Sequence, residues 1–346
     1  MSGRSPLAAL LLLLASASLA GCGHTPSGPI DGARAYADLE RLVAIGPRPF
    51  GSANLAKAAD LITDELKAMG LQPKRQEVEH EKEKKTIRNL WVELDGPDPA
   101  KGPILILGAH YDTKITEGCA EWTHSGPFLG AIDGGGAPAV LLELARYLKD
   151  PAHRPDVNVW LYWIDAEESI DWNWNTERAL LGSRAFCEML VEKKIKNRVK
   201  AFVLLDLIGS KDFKIDKDGN SDKRLLDISM AAAQQIGIAD ELAMWRYPTE
   251  ADVAAHKRQG RAWGTTDDHE IFRNFGVPSL LLIDFARRIP SQPAEEPYVQ
   301  WWHTPDDDLA EVDPNALAYA GNLVVAMLPG LAEFCHGRKS GGDTNK

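Results

Sequence analysis

Cysteine is scarce in this chain, four in 346 residues at positions 22, 119, 187 and 335, and no two of them stand in a Cys-x-x-Cys spacing. Zinc-finger sites are thereby excluded, and the odd three that remain once Cys22 is set aside exclude a disulfide framework. A single disulfide in an oxidising compartment stays open, with its pairing unassigned. Positive charge is also short, with 39 Lys and Arg against 50 Asp and Glu, a formal net charge of -11 and a pI near 5.4. Nucleic acid is excluded as a partner, because a phosphate backbone requires clustered Lys/Arg. The chain has no Pro/Gly/Ser-rich linker in its middle and no repeat of fixed period, so one domain is a simpler reading than two. The one run of dense charge, over 79–85, alternates in sign and reads as a solvated hairpin or loop.

The N-terminus differs from the rest. Arg4 precedes an apolar run over 7–20 that ends in Leu19-Ala20-Gly21-Cys22. That run falls short of the ~20 apolar residues of a transmembrane helix and reads as a secretory signal. Its end resembles the bacterial lipobox, at which the signal is cut before the cysteine and the thiol receives a diacylglycerol. The resemblance implies a lipoprotein signal peptide over 1–21, lipidation of Cys22, and a tether over 22–32. An ordinary cleaved signal with a chance cysteine is the weaker reading, since position and all four residue types agree. Buried methylenes hold such an anchor in the membrane at ~0.8 kcal/mol each. The expected location is the bacterial cell envelope, and in a Gram-negative host the outer membrane or periplasm, because Gly23 stands where Asp would mark inner-membrane retention. Residues 33–336 then form a single catalytic domain, read as a monomer, and 337–346 a disordered tail.

Four apolar runs of strand length, over 104–107, 157–163, 202–205 and 279–283, are bounded by polar, Gly or Pro residues. Helical spacing occurs over 54–69, 137–148, 183–194, 222–237 and 314–334, the last with Asp313 as N-cap and Pro314 at the first helical position. A further antiparallel strand pair is expected within 72–93. Strands alternating with helices predict an α/β three-layer sandwich, a mostly parallel, mixed central sheet with helices on both faces.

Open α/β sheets bind ligands at the carboxyl ends of their strands. Here the first of the four runs leads into His110-Tyr111-Asp112, the second into Asp165-Ala166-Glu167-Glu168, the third into Asp206, and the fourth, after a loop, into Trp301-Trp302-His303-Thr304. Imidazoles and carboxylates gathered at one rim repel or desolvate one another unless a cation lies among them, and these are zinc's ligand types. Adjacent Glu167 and Glu168 near a strand end point to different sides, so one can ligate while the other acts as acid/base.

Eight segments in order now carry a family resemblance: Arg48-Pro49-Phe50-Gly51-Ser52; His110-Tyr111-Asp112; Gly130-Ala131-Ile132-Asp133; Asp165-Ala166-Glu167-Glu168-Ser169; Leu181-Gly182-Ser183-Arg184; Leu205-Asp206-Leu207-Ile208-Gly209; Asp267-Asp268-His269; and Trp302-His303-Thr304-Pro305-Asp306-Asp307. From 36 to 334 the chain resembles the glutaminyl cyclases, which share a zinc aminopeptidase-like fold with the M28 group. The resemblance implies one zinc held by Asp133, Glu168 and His303, with Glu167 as general acid/base and Asp206 and Asp267 as a hydrogen-bonded carboxylate pair near the substrate amine. Trp302 matches a pocket tryptophan; a second is either Trp172 or Trp174, because a one-residue insertion separates the two alignments. The reaction so implied closes an N-terminal Gln, with Glu left open, of a peptide or protein into pyroglutamate. The substrate's own α-amine attacks its γ-amide, ammonia leaves, and zinc polarises the carbonyl.

The alternative is an M28-type zinc aminopeptidase, whose two metals would use His110, Asp133, Glu168, Asp206 and His303, all present. The tryptophans after Glu168, the Trp302-His303 pair and the Asp267-Asp268-His269 segment favour the cyclase, since aromatic walls suit a small glutaminyl side chain. A non-catalytic anchored module is disfavoured by retention of every ligand and of Glu167. Core packing is the bland reading for Trp160 and Trp163. His24, His80, His153, His256 and His336 read as surface histidines, and His269 as a residue that orients Asp267 or caps a helix. Cys119 and His124, in an insertion over 118–128, are too few to hold a metal and read as part of the pocket rim.

Overall fold

The computed structural model describes residues 28–211, 213–236, 245–258, 260, 262–287 and 301–338. The signal segment, Cys22 and almost all of the expected tail lie outside them. Packing has begun by Ile30, whose N–H donates to Asn322 Oδ1 at 3.1 Å and whose side chain is buried. Residues 30–32, placed in the tether by the sequence, thus already belong to the folded body.

A six-stranded sheet forms the centre, in the order β1 (Lys74–His80), β2 (Lys85–Leu94), β4 (Asn158–Ile164), β3 (Ile104–His110), β5 (Val199–Asp206), β8 (Ser279–Ile283). β4, β3, β5 and β8 run parallel, and β1 and β2 join antiparallel to one edge. The parallel strands are largely apolar and buried, apart from exposed Lys200 near the start of β5, because helices cover both faces. Edge strand β1 is Lys-Arg-Gln-Glu-Val-Glu-His and largely exposed, a charged border that discourages pairing with another chain. The alternating charges of 79–85 make the β1–β2 turn. A satellite pair, β6 (Ile215–Asp216) and β7 (Trp245–Arg246), lies apart from the main sheet.

One face of the sheet packs α1 (Gly32–Val43), α2 (Ala53–Ala68), α3 (Ala137–Leu148), α5 (Lys223–Gln235) and α8 (Pro314–Cys335). The other packs α4 (Leu181–Glu192) and α7 (Asp268–Asn274), and α6 (Glu250–Arg258) follows β7. The expected three-layer sandwich is formed. α8 begins as the sequence predicts: Asp313 accepts from Asn315 N–H at 2.9 Å, with Pro314 next. By length and composition α8 could cross a membrane, but it packs on α1, α3, α5 and the sheet, so its apolarity is that of a core helix. Each of its buried Leu and Val side chains contributes roughly 1.5–3 kcal/mol. Trp160 and Trp163 are core residues, 5% and 0% exposed. α1 and the short α6 and α7 escape the sequence reading. Cys119, Cys187 and Cys335 form no disulfide.

Candidate active site

Strand register sets the first half of the site. β3 ends on His110 and β5 on Asp206, and pairing of Gly108 with Leu204 makes the two level. His110 Nε2 lies 3.0 Å from Asp206 Oδ1 and 3.3 Å from Asp133 Oδ1, while Nδ1 lies 3.5 Å from Asp112 Oδ1. Burial opposes a charge on this imidazole, but Asp206, Asp112 and Asp133 outweigh it and hold its pKa well above the ordinary value.

Strained turns deliver the second half. After β4 the chain passes through Ala166 at φ 54, and His303 itself sits at φ 56; non-glycine residues in this region mark positions fixed by their surroundings. Asp112 accepts from the N–H groups of Glu167 (3.1 Å) and Glu168 (3.3 Å) and so locks the turn that presents both. Asp307 does the same for Asp133, accepting from Ile132 N–H at 2.6 Å and Asp133 N–H at 3.0 Å. Gly134 follows at φ 79, where a Cβ would come within 2.0 Å of Asp112 O, so this tight passage needs glycine. His303 Nε2 then meets Glu168 Oε1 at 2.9 Å and Asp133 Oδ2 at 3.2 Å. Buried Lys114 donates from Nζ to Ser169 O (2.6 Å) and Asp171 O (3.0 Å), 3.6 Å from Glu168 Oε2, and steadies the loop after the two glutamates. Sequence reasoning gave no role to Asp112, Asp307 or Lys114. The first two lie inside recognised segments, and Lys114 lies two residues beyond one.

These residues open on a cavity of about 320 Å³ lined by Asp133, Glu167, Glu168, Asp206, Asp267, His303, Trp172, Trp174, Trp302 and Phe285, among others. The ambiguity over the second tryptophan resolves in favour of both: Trp172 approaches the His303 ring at 6.1 Å, and Trp174 stands at the mouth, 42% exposed. The 118–128 insertion reaches this rim, with Phe128 5.8 Å from the His303 ring. Burial, then the charges of Asp267, Glu168 and Asp268, push the Glu167 carboxyl well above its usual range. Asp267 is raised likewise by burial and by Asp206.

Among the described residues two trios can hold a metal, His110/Asp133/Asp206 and Asp133/Glu168/His303, each with its ligand atoms within 4.8 Å of one another. The donors fit zinc, since ligands ~2.0–2.2 Å from one tetrahedral centre lie a little over 3 Å apart. The balance of charge fits as well: Asp112, Asp133, Glu167, Glu168, Asp206, Asp267, Asp268 and Asp307 are all buried here, against two buried fixed cations, Lys114 and Arg48, and the titratable His110 and His303. Cys119 and His124 join neither trio.

Three expectations need correction. Asp206 and Asp267 are not hydrogen-bonded: Asp206 Oδ1 is taken by His110 and by Leu207 N–H at 2.7 Å, and Asp267 Oδ2 has no hydrogen-bond partner among the described residues. His269 does not orient Asp267. It is buried with Nε2 3.4 Å from Asp218 Oδ2, and Asp267 is itself the N-cap of α7. His256 is not a surface histidine but is buried on α6, Nδ1 bonded to Asp252 O at 3.0 Å.

With this geometry in place, the likeness to known proteins is decisive for the family. The profile of peptidase family M28 matches residues 89–328. The chain belongs to peptidase family M28. Among solved structures, this M28 chain is similar to an Acidobacteriales bacterium glutaminyl cyclase, with a TM-score of 0.71 and 29% identity over 92% of this chain and 99% of that one. Among curated proteins it is 27% identical over 231 residues to a Dictyostelium discoideum glutaminyl-peptide cyclotransferase, covering 62% of this chain and 56% of that protein. It is also 27% identical over 249 residues to aminopeptidase YwaD of Bacillus subtilis, covering 70% and 44%. The chain therefore spans about half the length of the curated relatives it matches. A zinc-dependent exopeptidase from Parabacteroides distasonis shares the fold, with a TM-score of 0.66 at 22% identity.

Proposed function

We propose that this chain is a glutaminyl cyclase that holds one zinc at Asp133, Glu168 and His303 and converts N-terminal Gln of peptides or proteins, with Glu as a further candidate, into pyroglutamate and ammonia. The lining of the cavity carries this reading: about 320 Å³ closed by Trp172, Trp174 and Trp302 matches one glutaminyl residue rather than a long peptide stretch. Likeness over nearly the full length to a solved glutaminyl cyclase supports it.

Zinc, when bound, supplies Lewis acidity to the γ-carbonyl oxygen. The protein does the rest. Asp267 Oδ2, buried and without a donor, offers an acceptor for the substrate's α-amine. Glu167, whose proton affinity burial raises above that of an ordinary glutamate, takes a proton from that amine as the N–C bond forms and returns it to the departing amide nitrogen, which leaves as ammonia. Asp206 holds His110 and keeps Asp133 in place from behind. The tryptophan walls exclude water, so the amine rather than hydroxide reaches the carbonyl.

One observation favours a second reading. Asp133 addresses His110 with Oδ1 and His303 with Oδ2, the disposition of a carboxylate bridging two metals. An M28-type aminopeptidase would use both trios. The two readings separate when residues 23–346, loaded with zinc, are incubated with a peptide beginning in Gln. Chelator-sensitive loss of ammonia alone, with one zinc per chain, supports the cyclase; release of a free amino acid with two zinc ions per chain rejects it.

We further propose a monomeric catalytic body exported as a lipoprotein and anchored through Cys22 in the cell envelope, the anchor resting on the Leu19-Ala20-Gly21-Cys22 end of the signal. Metabolic labelling with a fatty acid, lost in Cys22→Ala, tests the anchor.

A further inference from the structure

A second cavity, of about 570 Å³, opens beside the first between the start of α2 and the 114–127 loop, lined by Pro47, Pro49, Ala53, Glu117, Trp122 and Pro127 among others. Its size is that of a ligand site, ~300–1,000 Å³. Lys114 borders both cavities. An aromatic ring of side chains also connects them: Trp122 lies 6.4 Å from Trp172 and 5.9 Å from Phe128, and both of these flank His303, at 6.1 and 5.8 Å. The Trp122 indole N–H donates to Gly126 O at 3.1 Å, so its own loop sets the plane it presents.

We infer that this second cavity binds the peptide chain downstream of the N-terminal glutamine and selects an apolar side chain at the second or third residue. The inference rests on the cyclase reading. A substrate whose first residue fills the smaller cavity must leave it over a rim, and an extended chain advances ~3.3–3.6 Å per residue. Two ring contacts from His303 to Trp122 are covered by the next two or three residues. Pro47, Pro49, Pro127, Ala53 and the Trp122 indole give the cavity a mainly apolar lining beside Ser52, Asn54 and Thr116. Exposed Glu117 opposes an acidic side chain there, because the ammonium of Lys114 is buried and donates to Ser169 O and Asp171 O.

The test compares zinc-loaded enzyme acting on glutamine amide, Gln-Ala-Ala-Ala, Gln-Phe-Ala-Ala, Gln-Ala-Phe-Ala and Gln-Asp-Ala-Ala, with ammonia release as the readout. The native enzyme should favour one phenylalanine peptide over the alanine peptide by about tenfold or more in kcat/KM, the scale of apolar-pocket discrimination. Ala53→Trp, which fills the cavity away from the aromatic ring, should erase that preference through KM and leave glutamine amide unaffected. Trp122→Ala should erase it as well. No preference in the native enzyme, a preference that survives Ala53→Trp, or a parallel loss on glutamine amide in that variant overturns the inference while the cyclase stands. Absence of ammonia from every substrate removes the cyclase reading and this inference with it.

Discussion

The two trios that share Asp133 have the same donors, one histidine and two carboxylates, in unlike surroundings. His110 is 1% exposed, does not line the cavity, and is engaged from both ring nitrogens by Asp112, Asp133 and Asp206. Asp133, Glu168 and His303 all line the cavity, and His303 is 13% exposed and flanked by Phe128 and Trp172. Donor geometry decides where a metal fits. Access decides which metal position meets a substrate, and only the second trio has it in full.

Removing a donor from the open trio should have the largest effect. His303→Ala is expected to lose both zinc and all measurable turnover, which metal analysis of the purified variant and an ammonia assay will read together. Glu167→Gln should keep its zinc, because Glu168 and not Glu167 faces His303, yet lose roughly 10²–10⁴ in kcat, the usual contribution of a positioned acid/base. A variant with full zinc and near-native rate would shift the proton transfer to Asp267.

Substitution in the closed trio sharpens the contrast. If His110 is a brace for Asp133 and Asp206, His110→Gln should keep one zinc per chain and lose about 10–100-fold in activity, as loss of a partner that orients a metal ligand commonly does. A fall from two zinc ions to one would make His110 a ligand and transfer the whole site to the aminopeptidase reading.

The difference between the trios also explains what could be read from the sequence. His110 and Asp206 end regular apolar strands, so periodicity alone finds them, and the strands expected at 104–107, 202–205 and 279–283 form in place. Glu168 and His303 are reached through left-handed backbone at Ala166 and His303, which no periodic pattern encodes; family motifs were needed to pair them. The bonds that fix the ligands, from Asp112 to the Glu167–Glu168 backbone and from Asp307 to Asp133, are side chain to main chain across more than fifty residues, and sequence spacing is silent on such partners. The expected Asp206–Asp267 bond is absent as well: the contacts of Asp206 are to His110 and Leu207 N–H, partners that sequence spacing does not reveal. α6 is not legible because its helical face is short and mixed in polarity, whereas α1 does carry an apolar face, Ala35, Leu39, Leu42 and Val43, at helical spacing.

A third buried group of acids, outside the metal trios although Asp284 follows the strand end that pairs with Asp206, shows what happens when the protein brings its own cation, and it carries the smallest expected effect. Asp216 and Asp284 share Arg246, whose Nη1 donates at 3.0 and 2.7 Å, and Asp216 Oδ2 also accepts from Ala286 N–H at 2.8 Å. Two carboxylates against one guanidinium leave a buried excess negative charge, and burial, with the charge of Asp284, pushes Asp216 up to about 7. The unfolded chain holds this proton only below about pH 4. Between about pH 4 and pH 7 the folded state therefore binds more protons, and by linkage this pair makes stability rise as pH falls through 7 toward 4. Asp284→Asn leaves a one-to-one Asp216–Arg246 pair and should weaken that dependence, since burial remains but the Asp284 charge is gone, flattening the slope by less than about 1.4 kcal/mol per pH unit within the window. Urea unfolding of native and variant protein at pH 5, 6, 7 and 8 measures it. Parallel curves would mean that Arg246 already neutralises both acids, and that a fixed guanidinium can do for two carboxylates what the proposed zinc would do for the open trio.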